Sequence, residues 1–298
     1  MRRWRLAAAL FGLALLAVTA AHARDLTAVV SILPQAYFLE RVGGEGLAVE
    51  VLVGPGQSPH TYEPTPKQMA SLGSADLYVR IGIPFEEALA RKVASLAPNL
   101  MVVEGWQGIE LQPMAEADHG HPVGDHDHGR LDPHFWLDPL LVKVHAATVC
   151  EALCRLDPQR APEFRANLAA LQADLDALHA RLQARLAAVA GRTMYVFHPA
   201  YGYLAHRYGL EQVAVQVEGK EPSARQTAEL VERARAAGVS ALFVQPQFSS
   251  RAAEVIAEAV GAELVPLDPL ARDYIANMDR MAELVAAGCG SPGHGQRD

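Results

Sequence analysis

Between Pro162 and Ala190, the residues Phe164, Leu168, Leu171, Leu175, Leu178, Leu182, Leu186 and Val189 recur at spacings of three and four. That period lays one apolar stripe along a single long helix. Pro162 suits its first turn, and Gly191 suits the position just past its end. At 1.5 Å per residue the helix spans roughly 40 Å, the length of a two-lobed molecule. The same stripe fits an oligomerisation coiled coil, but it covers only about four heptads, which favours an internal strut.

On both sides of this helix the chain alternates between two textures. Upstream, β-branched and apolar runs at 26–33, 47–53, 77–81 and 100–103 alternate with helical segments at 35–42, 67–72 and 85–96. Residues 105–133 are a loop rich in Gly, Pro, Asp and His, and a helix over 140–156 ends at Asp157-Pro158. Downstream, strands at 194–197, 213–217, 241–244 and 263–267 alternate with helices at 201–208, 224–237 and 250–260. A last helix runs from Tyr274 to Ala287. Repeated βα units imply a parallel sheet with helices on its faces. The expected fold is therefore α/β, with two lobes, each a parallel sheet flanked by helices, joined by one long α-helix. The expected divisions are an N-terminal lobe over 24–157, the linking helix over 158–191, a C-terminal lobe over 192–288 and a tail over 289–298.

The first 23 residues stand outside this pattern. Arg2, Arg3 and Arg5 precede an apolar run from Leu6 to Ala20, and Ala21-His22-Ala23 has the small-x-small form of a cleavage site. The run is shorter than the roughly 20 residues of a spanning helix. A cleavable leader without a lipid-accepting cysteine implies export to a periplasm-like space. Three of the 26 basic residues leave with it, so the formal charge moves from −8 to −11. An acidic chain lacks the basic footprint of a nucleic-acid binder. Three cysteines cannot build a disulfide scaffold. Cys150, Cys154 and Cys289 read either as small buried side chains or as one bridge with a free thiol.

The twelve histidines carry the functional signal. His60 follows the second strand, in Ser-Pro-His-Thr-Tyr-Glu-Pro. His134 lies in Asp-Pro-His-Phe-Trp-Leu-Asp-Pro before a helix. His198 ends the strand at 194–197, and Asp268 ends the strand at 263–267. Ligands of open parallel sheets bind beyond the carboxyl ends of the strands. A cleft between the lobes would thus face three imidazoles and one carboxylate. Such a set suits tetrahedral zinc, and imidazole favours zinc over manganese. Four protein ligands leave no position for an activated water, which suits capture rather than hydrolysis. Each residue taken alone also fits an ordinary role: a hydrogen-bonded loop histidine, or a turn aspartate in one of four Asp-Pro pairs at 132, 138, 157 and 268. There is no GxxxxGK[ST], HExxH or GxSxG motif.

Five segments carry a resemblance across nearly the whole chain after the leader. They are His60-Thr-Tyr-Glu-Pro, Pro133-His-Phe-Trp-Leu-Asp-Pro139, His198-Pro-Ala-Tyr-Gly-Tyr-Leu running on to Tyr208-Gly-Leu, Glu218-Gly-Lys-Glu-Pro-Ser223 and Leu267-Asp-Pro-Leu270. In this order they resemble the metal-binding substrate-binding proteins of ABC transporters, the zinc, manganese and iron uptake cluster, and its zinc-uptake type in particular. In that family the corresponding positions are three His, or two His and a Glu, plus an Asp. The resemblance implies His60, His134, His198 and Asp268 as ligands, with His at the third position as in the zinc branch. Some zinc members place a Glu just before the first ligand; Pro59 stands there here, which throws the fourth ligand onto Asp268.

The resemblance further implies a monomeric, non-enzymatic receptor whose bound cargo is Zn2+. It would deliver that cargo to an ABC-transporter membrane permease. Manganese or iron as cargo, or a secreted zinc-dependent hydrolase with Asp268 as base, are the competing expectations. His119, His121, His126 and His128, interleaved with aspartates over 118–129, read as a secondary, loosely binding metal loop or as a solvated segment. Tyr62 and Glu63 are expected to orient His60. Trp136 is expected to shield the site or sit in the core, and Lys220 with Glu221 reads as a solvated pair. His145, His179 and His206 fall in helices, where packing or surface roles dominate.

Overall fold

A computed structural model describes residues 25–114, 131–216, 223–248 and 251–290. The leader, the His-rich loop with His119, His121, His126 and His128, the Lys220–Glu221 pair and residues 291–298 of the tail lie outside the described residues.

The N-terminal half builds β1 (Leu26–Val30), α1 (Leu33–Gly43), β2 (Leu47–Val51), α2 (Pro66–Ser74), β3 (Leu77–Arg80), α3 (Phe85–Leu96) and β4 (Met101–Glu104). Two helices follow, α4 (Pro139–Leu156) and α5 (Ala161–Leu186). The C-terminal half repeats the scheme with β5 (Thr193–Val196), α6 (Gly202–Arg207), β6 (Glu211–Ala214), α7 (Ala224–Ala236), β7 (Ala241–Val244), α8 (Arg251–Val260), β8 (Glu263–Pro266) and α9 (Tyr274–Gly290). Each half holds one four-stranded sheet, ordered β2-β1-β3-β4 and β6-β5-β7-β8, and every pairing is parallel. In both sheets the first strand of the half is flanked by the next two. The chain leaves it in opposite directions, and a crevice opens at its carboxyl end.

Strand alternation sorts the side chains into layers. In β1, Val29 turns to an outer cluster with Leu72, Tyr78, Leu89 and Val93 under α2 and α3. Ala28 and Val30 turn to the inner core. In the other lobe, Leu242 joins Phe197, Leu230 and Ile256 under α7 and α8, while Met194, Val196 and Phe243 face inward. The two inner faces do not form separate cores. Phe164, Leu171, Leu175, Leu178, Leu182 and Leu186 of α5 are buried, and they belong to one cluster running from Leu26 to Val285. The expected linking helix is thus the spine of a shared core, packed against α1, α4 and α9. Its apolar stripe is consumed within the chain, which removes it as a coiled-coil seam.

Local rules account for most boundaries. Thr65 with Gln68 and Ser223 with Gln226 form capping boxes at the starts of α2 and α7. The Asp138 carboxylate accepts the Leu140 N–H at 2.9 Å and caps α4. The long helix closes through a 3-10 turn at Ala187–Val189 and the positive φ of Gly191. The main displacement is β6, which spans Glu211–Ala214 rather than 213–217. Its register is set by pairing with Thr193–Val196, so polar Glu211 and Gln212 enter an edge strand that apolar runs alone do not reveal.

Polar contacts lock the lobes to each other. The Trp136 indole N–H donates to the Pro269 carbonyl at 2.9 Å, and the Tyr274 hydroxyl donates to the Trp136 carbonyl at 2.8 Å. Tyr203 donates to the Asp132 carbonyl at 2.9 Å, and Arg207 pairs with the buried Asp138 carboxylate at 2.6 Å. His145 of α4 sits in the shared core between Phe38 and Phe135, and its Nδ1–H donates to the Gly105 carbonyl at 2.8 Å. Residue 105 must be glycine, since a Cβ there would lie 2.5 Å from the Arg80 carbonyl and 2.7 Å from the His145 ring. Cys150, Cys154 and Cys289 are free thiols, with 4.0 Å between the sulfurs of Cys150 and Cys154.

Because the core is shared, both lobes are expected to unfold in one cooperative denaturant transition. Leu175→Ala should lower stability by about 2–5 kcal/mol without splitting it, and two resolved transitions would contradict a common core. Burial lowers His145 to about 4. Its unfolded counterpart binds a proton near 6.5, so its contribution is whole above that pH and is lost as pH falls toward 4. The loss is about 3 kcal/mol. Denaturation measured between pH 7 and 4 should show a shallower decline for His145→Gln than for wild type.

Candidate metal centre

Four segments present the polar groups at the mouth between the sheets. His60 lies in a 3-10 turn over Pro59–Thr61, beyond the carboxyl end of β2, and its backbone N–H donates to the Ser58 hydroxyl at 3.3 Å. His134 precedes a second 3-10 turn over Phe135–Leu137. One Asp132 carboxylate oxygen accepts both its backbone N–H at 2.8 Å and its Nδ1–H at 2.6 Å. His198 stands two residues past β5. Its backbone is clamped by Gln245, which accepts the His198 N–H at 3.3 Å and donates to the His198 carbonyl at 3.1 Å. Its Nδ1–H donates to the Gln216 side-chain carbonyl at 2.9 Å.

These bonds fix the tautomers. A carboxylate or amide oxygen only accepts, so Nδ1 of His134 and of His198 carries the proton. The Nε2 lone pairs are therefore left for a cation. Ring nitrogens of His60, His134 and His198 all lie within 4.8 Å of one another, and the Nε2 atoms of His60 and His198 are 3.1 Å apart. Three nitrogens bound tetrahedrally to one zinc would be about 3.4 Å apart. His134 and His198 are buried and His60 is exposed, so the cluster is open to solvent on the His60 side. Phe248 covers the cluster, its ring centred 4.8 Å from His198 and 5.9 Å from His60. Trp136 is buried beside His134, with ring centroids 5.1 Å apart, and so is both core and shield.

Asp268 is not among the groups within 4.8 Å of one another. It lies two residues past β8, with its Oδ1 accepting the Leu270 N–H at 2.9 Å and a Gln247 amide N–H at 2.6 Å. Tyr201, raised well above the usual tyrosine range by burial and then by the Asp268 charge, stays a neutral hydroxyl that donates to the Leu267 carbonyl at 2.9 Å. His198 is pushed well below the ordinary histidine range by burial, then by His134 and His60, against the opposing bond from Gln216. It is therefore neutral and ready to ligate at neutral pH.

The expectation that Tyr62 orients His60 is not met. Its hydroxyl donates to Gln68 at 2.7 Å and its ring packs on Phe85. The other two imidazoles are oriented by Asp132, at His134, and by Gln216, at His198, with Gln245 holding the His198 backbone. Asp132 was within reach of sequence reading, two residues before His134 in an Asp-Pro-His run. The two glutamines carry no local signal. A nitrogen ligand normally depends on the partner of its second nitrogen. Asp132→Ala and Gln216→Ala should each weaken divalent-metal binding by about 10–100-fold, measured by competition with a chromophoric chelator. Unchanged affinity in both would contradict an orienting role.

A sequence model of the zinc-uptake complex component A, periplasmic, matches residues 28–288. The chain is 31% identical to the high-affinity zinc uptake system protein ZnuA of Bacillus subtilis, over 82% of this chain and 78% of that protein. It is 26% identical to ZnuA of Yersinia pestis, over 91% of each. A crystal structure of ZnuA superposes with a TM-score of 0.82 at 38% identity, covering 89% of this chain and 99% of that one. With two parallel sheets, a shared helical spine and three imidazoles at the cleft between them, the chain belongs to the family of zinc-uptake complex component A.

Proposed function

We propose that this chain is an exported, monomeric zinc receptor. It captures one Zn2+ with His60, His134, His198 and Asp268 and hands it to the membrane permease of an ABC transporter. The observation that carries the reading is the meeting of three imidazole nitrogens from three separate segments within 4.8 Å. Two of them have their second nitrogen engaged by an acceptor, which leaves the lone pair of the first for the metal. An imidazole-dominated set favours zinc over manganese. Asp268 as fourth ligand closes a tetrahedral shell without a reactive water, which supports capture rather than hydrolysis. The relatives named as zinc uptake proteins support the same cargo. Burial of the α5 stripe supports a monomer. The leader over residues 1–23 supports periplasmic placement.

The test is equilibrium competition between Zn2+ and Mn2+ on the purified chain, with metal content measured directly. One tightly held Zn2+ that Mn2+ does not displace is expected. Tight manganese binding with weak zinc would overturn the cargo assignment. Deleting 118–129 should remove only weak additional binding by His119, His121, His126 and His128. Loss of the tight site in that variant would show that the primary ligands are wrongly assigned.

A further inference from the structure

We infer that Gln247 sets the metal selectivity of this site by occupying one oxygen of Asp268, so that the carboxylate meets a cation through its other oxygen alone. The inference rests on Asp268 being the fourth ligand. Oδ1 of Asp268 already accepts two N–H groups, from Gln247 at 2.6 Å and from the Leu270 backbone at 2.9 Å. Among the described residues no hydrogen bond reaches Oδ2. A carboxylate oxygen has two lone pairs in its plane, so Oδ1 is committed and Oδ2 is open.

The two donors differ in kind. The Leu270 N–H belongs to the local turn through Asp268-Pro269-Leu270 and accompanies the aspartate wherever that turn forms. The Gln247 amide comes from the loop after β7, the neighbouring strand, and is the side chain the sequence is free to choose. Its orientation is set by Asp268. Turned over, its carbonyl would face the carboxylate. In the observed orientation its Oε1 is buried without a hydrogen-bond partner. An amide that leaves one buried end unpaired in order to donate to Asp268 has that donation as its specific contact.

The consequence is coordination number. Three imidazoles and one carboxylate oxygen make a four-coordinate shell, which suits zinc. The same carboxylate binding through both oxygens makes five. That serves harder ions with a preference for oxygen-rich, higher-coordinate shells, such as manganese. Gln247 is thus a positioning residue, acting on the metal through Asp268.

Cobalt(II) reports this directly, because its visible d–d absorption is strong in four-coordinate tetrahedral sites and much weaker in five-coordinate ones. The wild-type chain loaded with Co2+ should show the strong bands. Gln247→Leu and Gln247→Met, which both remove the donor, should weaken them and reduce the ratio of Zn2+ to Mn2+ affinity by about tenfold, the lower end of the usual effect of a group behind a metal ligand. Thermal unfolding of both variants checks that they fold. Bands and affinity ratio unchanged in both folded variants, or five-coordinate absorption in the wild type, would overturn the inference. Asp268→Ala separates this from the reading beneath it. If that variant loses tight zinc binding while both Gln247 variants stay silent, only the role of Gln247 falls. If it binds zinc and cobalt as wild type does, Asp268 is not a ligand and both fall.

Discussion

The packing of α5 against both halves of the molecule is the constraint on which everything else depends. Two separately closed lobes would leave His60 and His134 on one body and His198 on another, with their spacing free to vary. Here the buried Phe164 and the leucines of α5 merge the inner faces of both sheets into one apolar cluster. The contacts of Trp136 with Pro269, Tyr274 with Trp136 and Arg207 with Asp138 then stitch the cleft wall. The segment around His134 is tied to the opposite half through Asp132, Trp136 and Asp138, and His198 is fixed within its own half by Gln216 and Gln245. The imidazoles therefore meet by folding, before any cation contributes attraction. A site assembled this way loses little conformational entropy on binding.

Within that frame the two buried imidazoles are held by different chemistry. His134 donates to a carboxylate and His198 to an amide carbonyl. A charged acceptor makes the opposite nitrogen a stronger donor than a neutral one does. His134 is thus the more strongly polarised imidazole and His198 the milder one, while His60 is exposed at the mouth. A graded set of this kind suits a protein that must hold a cation firmly and still yield it to a partner.

The fold was largely legible from the chain because its signals are periodic. The three-and-four spacing of α5 and the alternation of β-branched runs with helical segments place the sheets and helices to within a few residues. Edge strand β6 was displaced because pairing with β5, not apolar content, sets its limits. The two 3-10 turns that seat His60 and His134 were not visible, since three residues have no period to read. The three histidines could be picked out by their place at strand ends and in motif segments. Their orienting partners mostly could not: Gln216 and Gln245 lie 18 and 47 residues from His198 and join it only through the parallel order of the sheet. The Gln247–Asp268 contact, across 21 residues, has the same origin. Tyr62 shows the converse error, since a neighbour in sequence turned away to Gln68.

The central claim is that one zinc ion is held by three imidazoles and one carboxylate, with no solvent ligand. X-ray absorption at the zinc edge of the loaded protein tests it most directly. Zinc held in this way gives a four-atom first shell at about 2.0–2.1 Å, with outer-shell scattering from three imidazole rings. Fewer than three imidazoles, a sulfur ligand or a shell completed by water would contradict it.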